Sequence, residues 1–139
     1  MRRMASLFTR IISGEIPGKF VFKDERWVAL LDISPANPGH VLLIPVAEAQ
    51  YLSDLPGGTL AQLGDRLRRL ITAVKKATGA PAVNVLLNDG PAANQAVPHA
   101  HLHLIPRFPG DHKLVHPKGT PYGEGELEQW AVALQRAWA

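Results

Sequence analysis

The chain contains no cysteine. Disulfides, thiolate metal sites, cysteine nucleophiles and cysteine-held iron–sulfur clusters are therefore excluded. No hydrophobic run approaches the ~20 residues of a membrane-spanning helix, so no membrane partner is expected. Arg2 and Arg3 are followed by no apolar stretch, which speaks against a signal peptide and for a cytoplasmic protein. Neither a Walker loop nor a G-x-G-x-x-G after a strand occurs, which argues against the common nucleotide folds. No aspartate or glutamate lies between Gly90 and Pro109.

What is present is ordinary in bulk: 139 residues, 46% hydrophobic and 19% charged. This predicts a single domain over residues 1–139 with enough chain to bury a core. The net charge of +3 suits an anionic ligand such as a phosphate without calling for nucleic acid. The basic stretch Arg66, Arg68, Arg69, Lys75 and Lys76 follows a helical pattern and reads as a solvated face.

Apolar spacing predicts an α+β architecture. Leu7, Phe8, Ile11 and Ile12 suggest a short N-terminal helix stopped by Pro17. Phe20 to Lys23 and Trp27 to Leu31 read as a hairpin, although no Asn-Gly turn joins them. His40 to Pro45 is nearly continuous in apolar residues and reads as a buried central strand. After Gly57 and Gly58, with Thr59 as expected N-cap, a long helix carries Leu60, Leu63, Leu67, Leu70, Ile71 and Val74 on one face and ends at Gly79. Ala82 to Leu87 and His99 to Pro106 complete a mainly antiparallel sheet of about five strands. A last helix bears Leu127, Trp130, Ala131, Leu134 and Trp138 on one stripe.

There are six histidines, and three of them alternate: His99, His101 and His103. In a strand such residues share a face. The bland reading is three surface histidines on a half-exposed sheet. A second is a metal site with an open position, since alternating imidazoles supply zinc ligands. A third is covalent catalysis by a neutral imidazole attacking phosphorus. The flanks separate the last two. A catalytic metal site wants nearby carboxylates to orient its histidines, and none lies between Gly90 and Pro109. The loop Asn88 to Pro98 is instead rich in small and amide residues, which suits an oxyanion cradle.

NDGPAANQAVPHAHLHLIPR resembles the signature of the histidine-triad (HIT) family, alternating histidines behind an N-x-G-x-x-x-G-Q loop. LFTRIISGEIP resembles its N-terminal helix. Asp32, Pro35, Gly39, His40, Leu42 and Pro45 match its D-x-x-P-x-x-x-G-H-x-L-x-x-P segment. The likeness covers about residues 7–111 and leaves 112–139, with His112 and His116, as a variable C-terminal segment.

The resemblance implies a HIT-like fold and a hydrolase or nucleotidyltransferase acting at the α-phosphate of adenosine or other purine nucleotides. The substrates would be phosphoramidates or dinucleoside polyphosphates. By position His101 would be the nucleophile, with a backbone carbonyl taking its ring proton. His99 and His40 would form a supporting pair, and His103 would touch the α-phosphate. Asp32 would receive the ribose hydroxyls, or cap its own turn. Asn88, Asn94, Gln95 and Ala96 belong to the phosphate loop, with Asn88 and Gln95 on the phosphate side. Leu7, Phe8, Ile11, Ile16 and Ile33 would wall the base pocket, unless they are plain core. Ala96 stands where a hydroxyl residue is common, and Asn94 where glycine is usual. Many bacterial relatives carry a structural zinc at positions that look like Ser6, Thr9 and Glu48 here, so no metal is expected. No cofactor is implied, and a homodimer is. A metal-dependent hydrolase, or a nucleotide-binding protein with little activity, remain the alternatives.

Overall fold

The computed structural model describes residues 4–114 and 116–138. Arg2 and Arg3, on which the leader argument turns, lie outside the described residues. The elements run α1 (Leu7–Ile12), β1 (Phe20–Lys23), β2 (Trp27–Leu31), β3 (Val41–Pro45), α2 (Gly57–Thr78), β4 (Ala82–Leu87), β5 (Leu102–Arg107) and α3 (Glu126–Trp138). The five strands form one sheet in the order β1-β2-β3-β5-β4. Every neighbouring pair is antiparallel. The architecture is α+β, as the spacing predicts, and the continuous HVLLIP run does place β3 at the centre, buried along its whole length.

Alternation along the strands divides the core in two. Trp27, Ala29, Val41, Leu43, Leu102 and Leu104 face α2, where Leu70 and Val74 meet them. Val28, Leu30, Leu42 and Ile44 face the other way, against Phe8 of α1. The Trp27 indole is fully buried and donates to the Thr59 carbonyl at 3.0 Å, tying β2 to the start of α2.

The β1–β2 turn forms without an Asn-Gly signal because a side chain does that work. Asp24 Oδ1 accepts from the amides of Arg26 and Trp27, both at 2.9 Å. Its other oxygen takes Arg66 of α2 at 2.7 Å. One member of the basic stretch is thus an anchor to the hairpin. Thr59 is not the N-cap of α2. The helix begins two residues earlier, after Pro56, and takes no side-chain cap there. Gly57 and Gly58 lie inside its first turn. Gly79 does end it, in the left-handed conformation at φ 75°. α1 ends at Ile12, with Gly14 at φ 84° turning the chain before Pro17 is reached.

Two strands start later than their apolar runs. β3 begins at Val41 and β5 at Leu102, so His40, His99, Ala100 and His101 precede regular pairing. Their amides go elsewhere. His99 N–H donates to Val97 O, and Ala100 N–H to Ala49 O, at 2.8 and 2.7 Å. α3 carries its apolar stripe, but no residue of that helix is buried.

Candidate active site

The residues before β3 and β5 bring four histidines together. Gly39, at φ 92°, turns the chain into His40, and a Cβ there would run into Thr78. His40 N–H then bonds Asn37 O at 3.0 Å, and Asp32 N–H bonds His40 O at 3.0 Å. Asn37 in turn donates to Pro106 O and Asp111, and Asp111 chelates Arg107, so this loop is stapled to the end of β5. His40, His99 and His101 are buried and His103 half-buried.

Their partners fix the proton on each ring. His99 Nε2 faces Pro45 O at 2.8 Å. A carbonyl only accepts, so Nε2 carries the proton and Nδ1 must accept. It does so from Ser6 Oγ–H at 2.6 Å. His101 Nδ1 faces His99 O at 2.8 Å and is protonated by the same reasoning. His101 Nε2 therefore keeps a bare lone pair. His40 Nδ1 accepts from Ala36 N–H at 3.0 Å, so His40 Nε2–H donates to His103 Nδ1 at 2.9 Å. That leaves His103 with its proton on Nε2. Among the described residues no buried side-chain polar atom lacks a partner, so the unpartnered Nε2 atoms of His101 and His103 open to solvent. The two rings lie side by side, centroids 5.0 Å apart. One offers a lone pair and the other an N–H.

Burial lowers the pKa of all four imidazoles. For His103, burial and then the neighbouring His101 and His40 bring it down to about 4. For His99, burial outweighs the Pro45 bond and the Glu48 carboxylate. The neutral imidazole is therefore favoured at all four positions at pH 7.

The expected pairing of His40 with His99 is not what forms. His40 pairs with His103, because Asp32 and the Ala36 amide hold it over β5 rather than over the segment before it. His99 belongs to α1. Its Nδ1 takes Ser6, the N-cap of that helix, and Phe8 packs edge-on against His99 and His101 at centroid distances of 5.7 and 4.8 Å. Phe8 is 5% exposed and belongs to the core cluster of that face. Ile11 packs into the same core cluster, and Ile16 is half-buried. Leu7 and Ile33 are exposed, Ile33 at 96%. A groove of about 510 Å³ lies between β1 and α2, lined by Phe22, Asp24 and Arg66, and touches no histidine.

In the loop, Asn94 adopts φ 66°, the left-handed conformation that glycine or asparagine tolerates. Gln95 is buried and bonded within its own loop. Its Oε1 accepts from Gly90 N–H at 2.8 Å, and its Nε2 donates to Gln50 O and Val97 O. The whole amide is spent on holding the loop. Asn88 is half-buried, and its side chain has no protein partner among the described residues. Ala96 is exposed. Asp32 Oδ1 caps its own turn through Ser34 N–H at 2.8 Å, and Oδ2 lies 3.6 Å from His40 Nε2.

The three alternating imidazoles do not converge on one point, since His99 spends both ring nitrogens on the protein. Among the described residues, Asp32, His40 and His103 bring ligand-type atoms within 4.8 Å, but a shared proton already joins the two rings. Ser6, Thr9 and Glu48 do come together beside His99. Glu48 Oε1 accepts from Ser6 N–H at 2.6 Å and Thr9 Oγ1–H at 2.8 Å. Two alcohols, one carboxylate and an imidazole already hydrogen-bonded do not fit a structural zinc, which takes thiolates, imidazoles and carboxylates. Sequence reasoning missed the Ser6–His99 contact. The Ser-x-x-Thr start of α1 signals a cap, but nothing in it points 93 residues ahead.

The HIT domain model matches residues 13–110. An uncharacterized HIT-like protein of Methanocaldococcus jannaschii is 38% identical over 109 residues, 78% of this chain and 84% of that one. An adenylylsulfatase of Arabidopsis thaliana is 36% identical over 101 residues, 73% of this chain and 51% of its own, so the chain spans about half of that relative. An adenosine 5'-monophosphoramidase of Schizosaccharomyces pombe is 36% identical over 104 residues, 75% of each chain. Among solved structures, SMU.412c from Streptococcus mutans superposes with a TM-score of 0.90 at 33% identity, over 99% of this chain and 88% of that one. A Zn-bound histidine triad family protein from Mycobacterium smegmatis gives 0.72 at 33% identity, over 96% of each. With the sheet, the four histidines and the matched span in agreement, the chain belongs to the HIT family.

Proposed function

We propose that the chain is a nucleotide hydrolase or nucleotidyltransferase that works through a nucleotidyl adduct on His101 Nε2. The observation that carries this is the fixed proton pattern: a lone pair on His101 Nε2 beside a proton on His103 Nε2, both open to solvent. In the first step the lone pair forms a bond to the α-phosphorus. The bond from phosphorus to the leaving group breaks, its electron pair departs with that group, and the group takes up a proton. His103 Nε2–H donates to a non-bridging phosphate oxygen. His101 becomes a cation, and its Nδ1–H tightens on His99 O. Water then adds to phosphorus, the N–P electron pair returns to His101, and a proton is released. One water is consumed overall.

Asp32 Oδ2 would receive the ribose hydroxyls, and Leu7 and Ile33 would offer the base an apolar surface. Asn88 is a loop side chain free to meet phosphate. Of the two substrate classes, the relatives' names favour small leaving groups on an adenylyl unit, the phosphoramidate class, over dinucleoside polyphosphates. Ala96 supplies no hydroxyl to the leaving group, which favours leaving groups that need little help. We further propose a homodimer. β4 is an edge strand, and its Val85 and Leu86 are exposed.

The test is turnover of an adenosine phosphoramidate and a diadenosine polyphosphate side by side, with mass spectrometry of the quenched protein. An adenylyl mass on the peptide carrying His101 is expected, and EDTA is expected to leave turnover intact. Loss of activity in EDTA, restored by a metal, would favour the metal-dependent reading instead.

A further inference from the structure

We propose that Ser6 is a positioning residue of this site, donating its hydroxyl proton to His99 Nδ1 and so holding His99 as the neutral Nε2–H imidazole behind the nucleophile. The inference rests on the functional reading above. Its geometry stands independently.

Ser6 does two jobs with one oxygen. Oγ accepts from Thr9 N–H at 3.0 Å, which caps α1, and it donates to His99 Nδ1 at 2.6 Å. The Thr9 hydroxyl lies 3.2 Å from Ser6 Oγ and bonds Glu48 at 2.8 Å, so the shorter contact to His99 takes the Ser6 proton. His99 has no exposed surface. It is gripped at both ends, by Ser6 and by Pro45 O. The residue so gripped supplies the carbonyl that receives the His101 proton.

The groups facing His99 explain why a hydroxyl suits this place. From α1 come Ser6 and the Phe8 ring. From the segment after β3 comes the Glu48 carboxylate, and from its own segment comes His101. A carboxylate in direct contact with Nδ1 would draw a second proton onto His99. The resulting cation would sit next to His101 as that ring itself becomes positive. Ser6 stands between Glu48 and His99 and offers a proton without a charge. Its own amide holds Glu48 Oε1 in place.

Three substitutions in the full chain separate this role from helix capping. Ser6→Thr keeps the cap and the donor. Ser6→Asp keeps the cap, because aspartate caps helices well, but an ionised carboxylate has no proton to give. Ser6→Ala loses both. The readouts are nitrogen-15 NMR of the His99 ring and the pH profile of adenosine phosphoramidate turnover. In the wild type, His99 Nδ1 reads as unprotonated and hydrogen-bonded. In Ser6→Asp it reads as protonated, kcat falls on the order of 10-fold or more with a smaller change in KM, and the acidic limb moves to higher pH. Ser6→Thr recovers the wild-type tautomer and most of the rate. A Ser6→Asp protein with an unprotonated His99 Nδ1 and wild-type kcat overturns the proposal, whatever Ser6→Ala does to folding. A wild-type protein that turns over neither substrate and forms no adduct overturns the functional reading instead, and the His99 tautomer then still decides what Ser6 does.

Discussion

The two faces of the sheet are made from the same strands by the same alternation, yet they are completed by opposite means. On one face, Trp27, Leu43 and Leu104 are closed by a 22-residue helix, and the Trp27–Thr59 bond adds a polar tie at its edge. On the other, a six-residue helix covers Val28, Leu30 and Ile44, and the rest is a chain of hydrogen bonds running Ser6–His99–His101 with His40–His103 beside it. Apolar contacts tolerate small shifts, whereas a buried polar chain demands that every proton have a destination. One face therefore holds the fold and the other holds an arrangement of lone pairs. Substitutions on the first are expected to cost stability, and on the second to cost activity.

The largest effect tests that division directly. His101→Ala is expected to lower turnover by about 10³-fold or more and abolish the adenylyl adduct. Its unfolding free energy is expected to fall by only about 1–2 kcal/mol, the worth of the lost bond and ring contacts. Kinetics and urea unfolding on the same preparation check both. Trp27→Ala is the converse. It empties a fully buried site and removes the indole bond to the Thr59 carbonyl, for a loss of about 3–5 kcal/mol. The protein that remains folded is expected to keep its kcat, because Trp27 faces away from the histidines. A Trp27 variant that kept its stability, or a His101 variant that lost as much as Trp27, would dissolve the distinction.

Much of this division is legible in the sequence, for a physical reason. Alternation is local, so Trp27 to Leu31 and Val41 to Pro45 declare their two faces, and the spacing of His99, His101 and His103 declares a third set. Local backbone demands are equally readable: Gly79 and Asn94 stand where the chain turns left-handed. What could not be read is pairing at a distance. The choice of His103 over His99 as partner for His40 depends on where the Asp32–Gly39 loop sits over β5. The use of Gln95 as a clasp for its own loop depends on Gln50 lying behind it. Ser6 and His99 are 93 residues apart, and only the docking of α1 brings them to 2.6 Å. The helix start at Gly57 is obscured by two glycines that ordinarily mark a break, here accepted because the Pro56 carbonyl takes the Thr59 and Leu60 amides and closes the first turn.

The faces should also respond differently to pH. Each of the four imidazoles has a folded pKa below its ordinary value near 6.5. The unfolded chain therefore binds more protons than the native one once pH falls below about 6.5, and stability falls with it. The loss continues as pH approaches about 4, where His103 titrates. Turnover is expected to hold from pH 7 to below 6.5, because His101 stays neutral there. Urea unfolding at steps between pH 7.5 and about 4.5 reads the slope, and His103→Asn is expected to flatten its acidic part. A slope unaffected by that substitution would move the acid sensitivity away from the histidine face.

The smallest effect is expected where neither face reaches. Val85 of β4 pairs with Leu104 of β5 and, by alternation, belongs to the α2 face. Leu104 is fully buried in a central strand, while Val85 of the edge strand is 40% exposed. An arginine there meets water rather than core. Val85→Arg is therefore expected to change the stability of the single chain by less than about 0.5 kcal/mol in dilute solution. Sedimentation at higher concentration then separates the edge from the faces. If copies join through β4, the wild type sediments as two chains and the variant as one, since an unpaired charge at an apolar, strand-paired contact disfavours it strongly. A variant that keeps the wild-type mass would place any dimer contact elsewhere, and the exposed stripe of Leu127, Trp130 and Leu134 on α3 would then be the surface to substitute next.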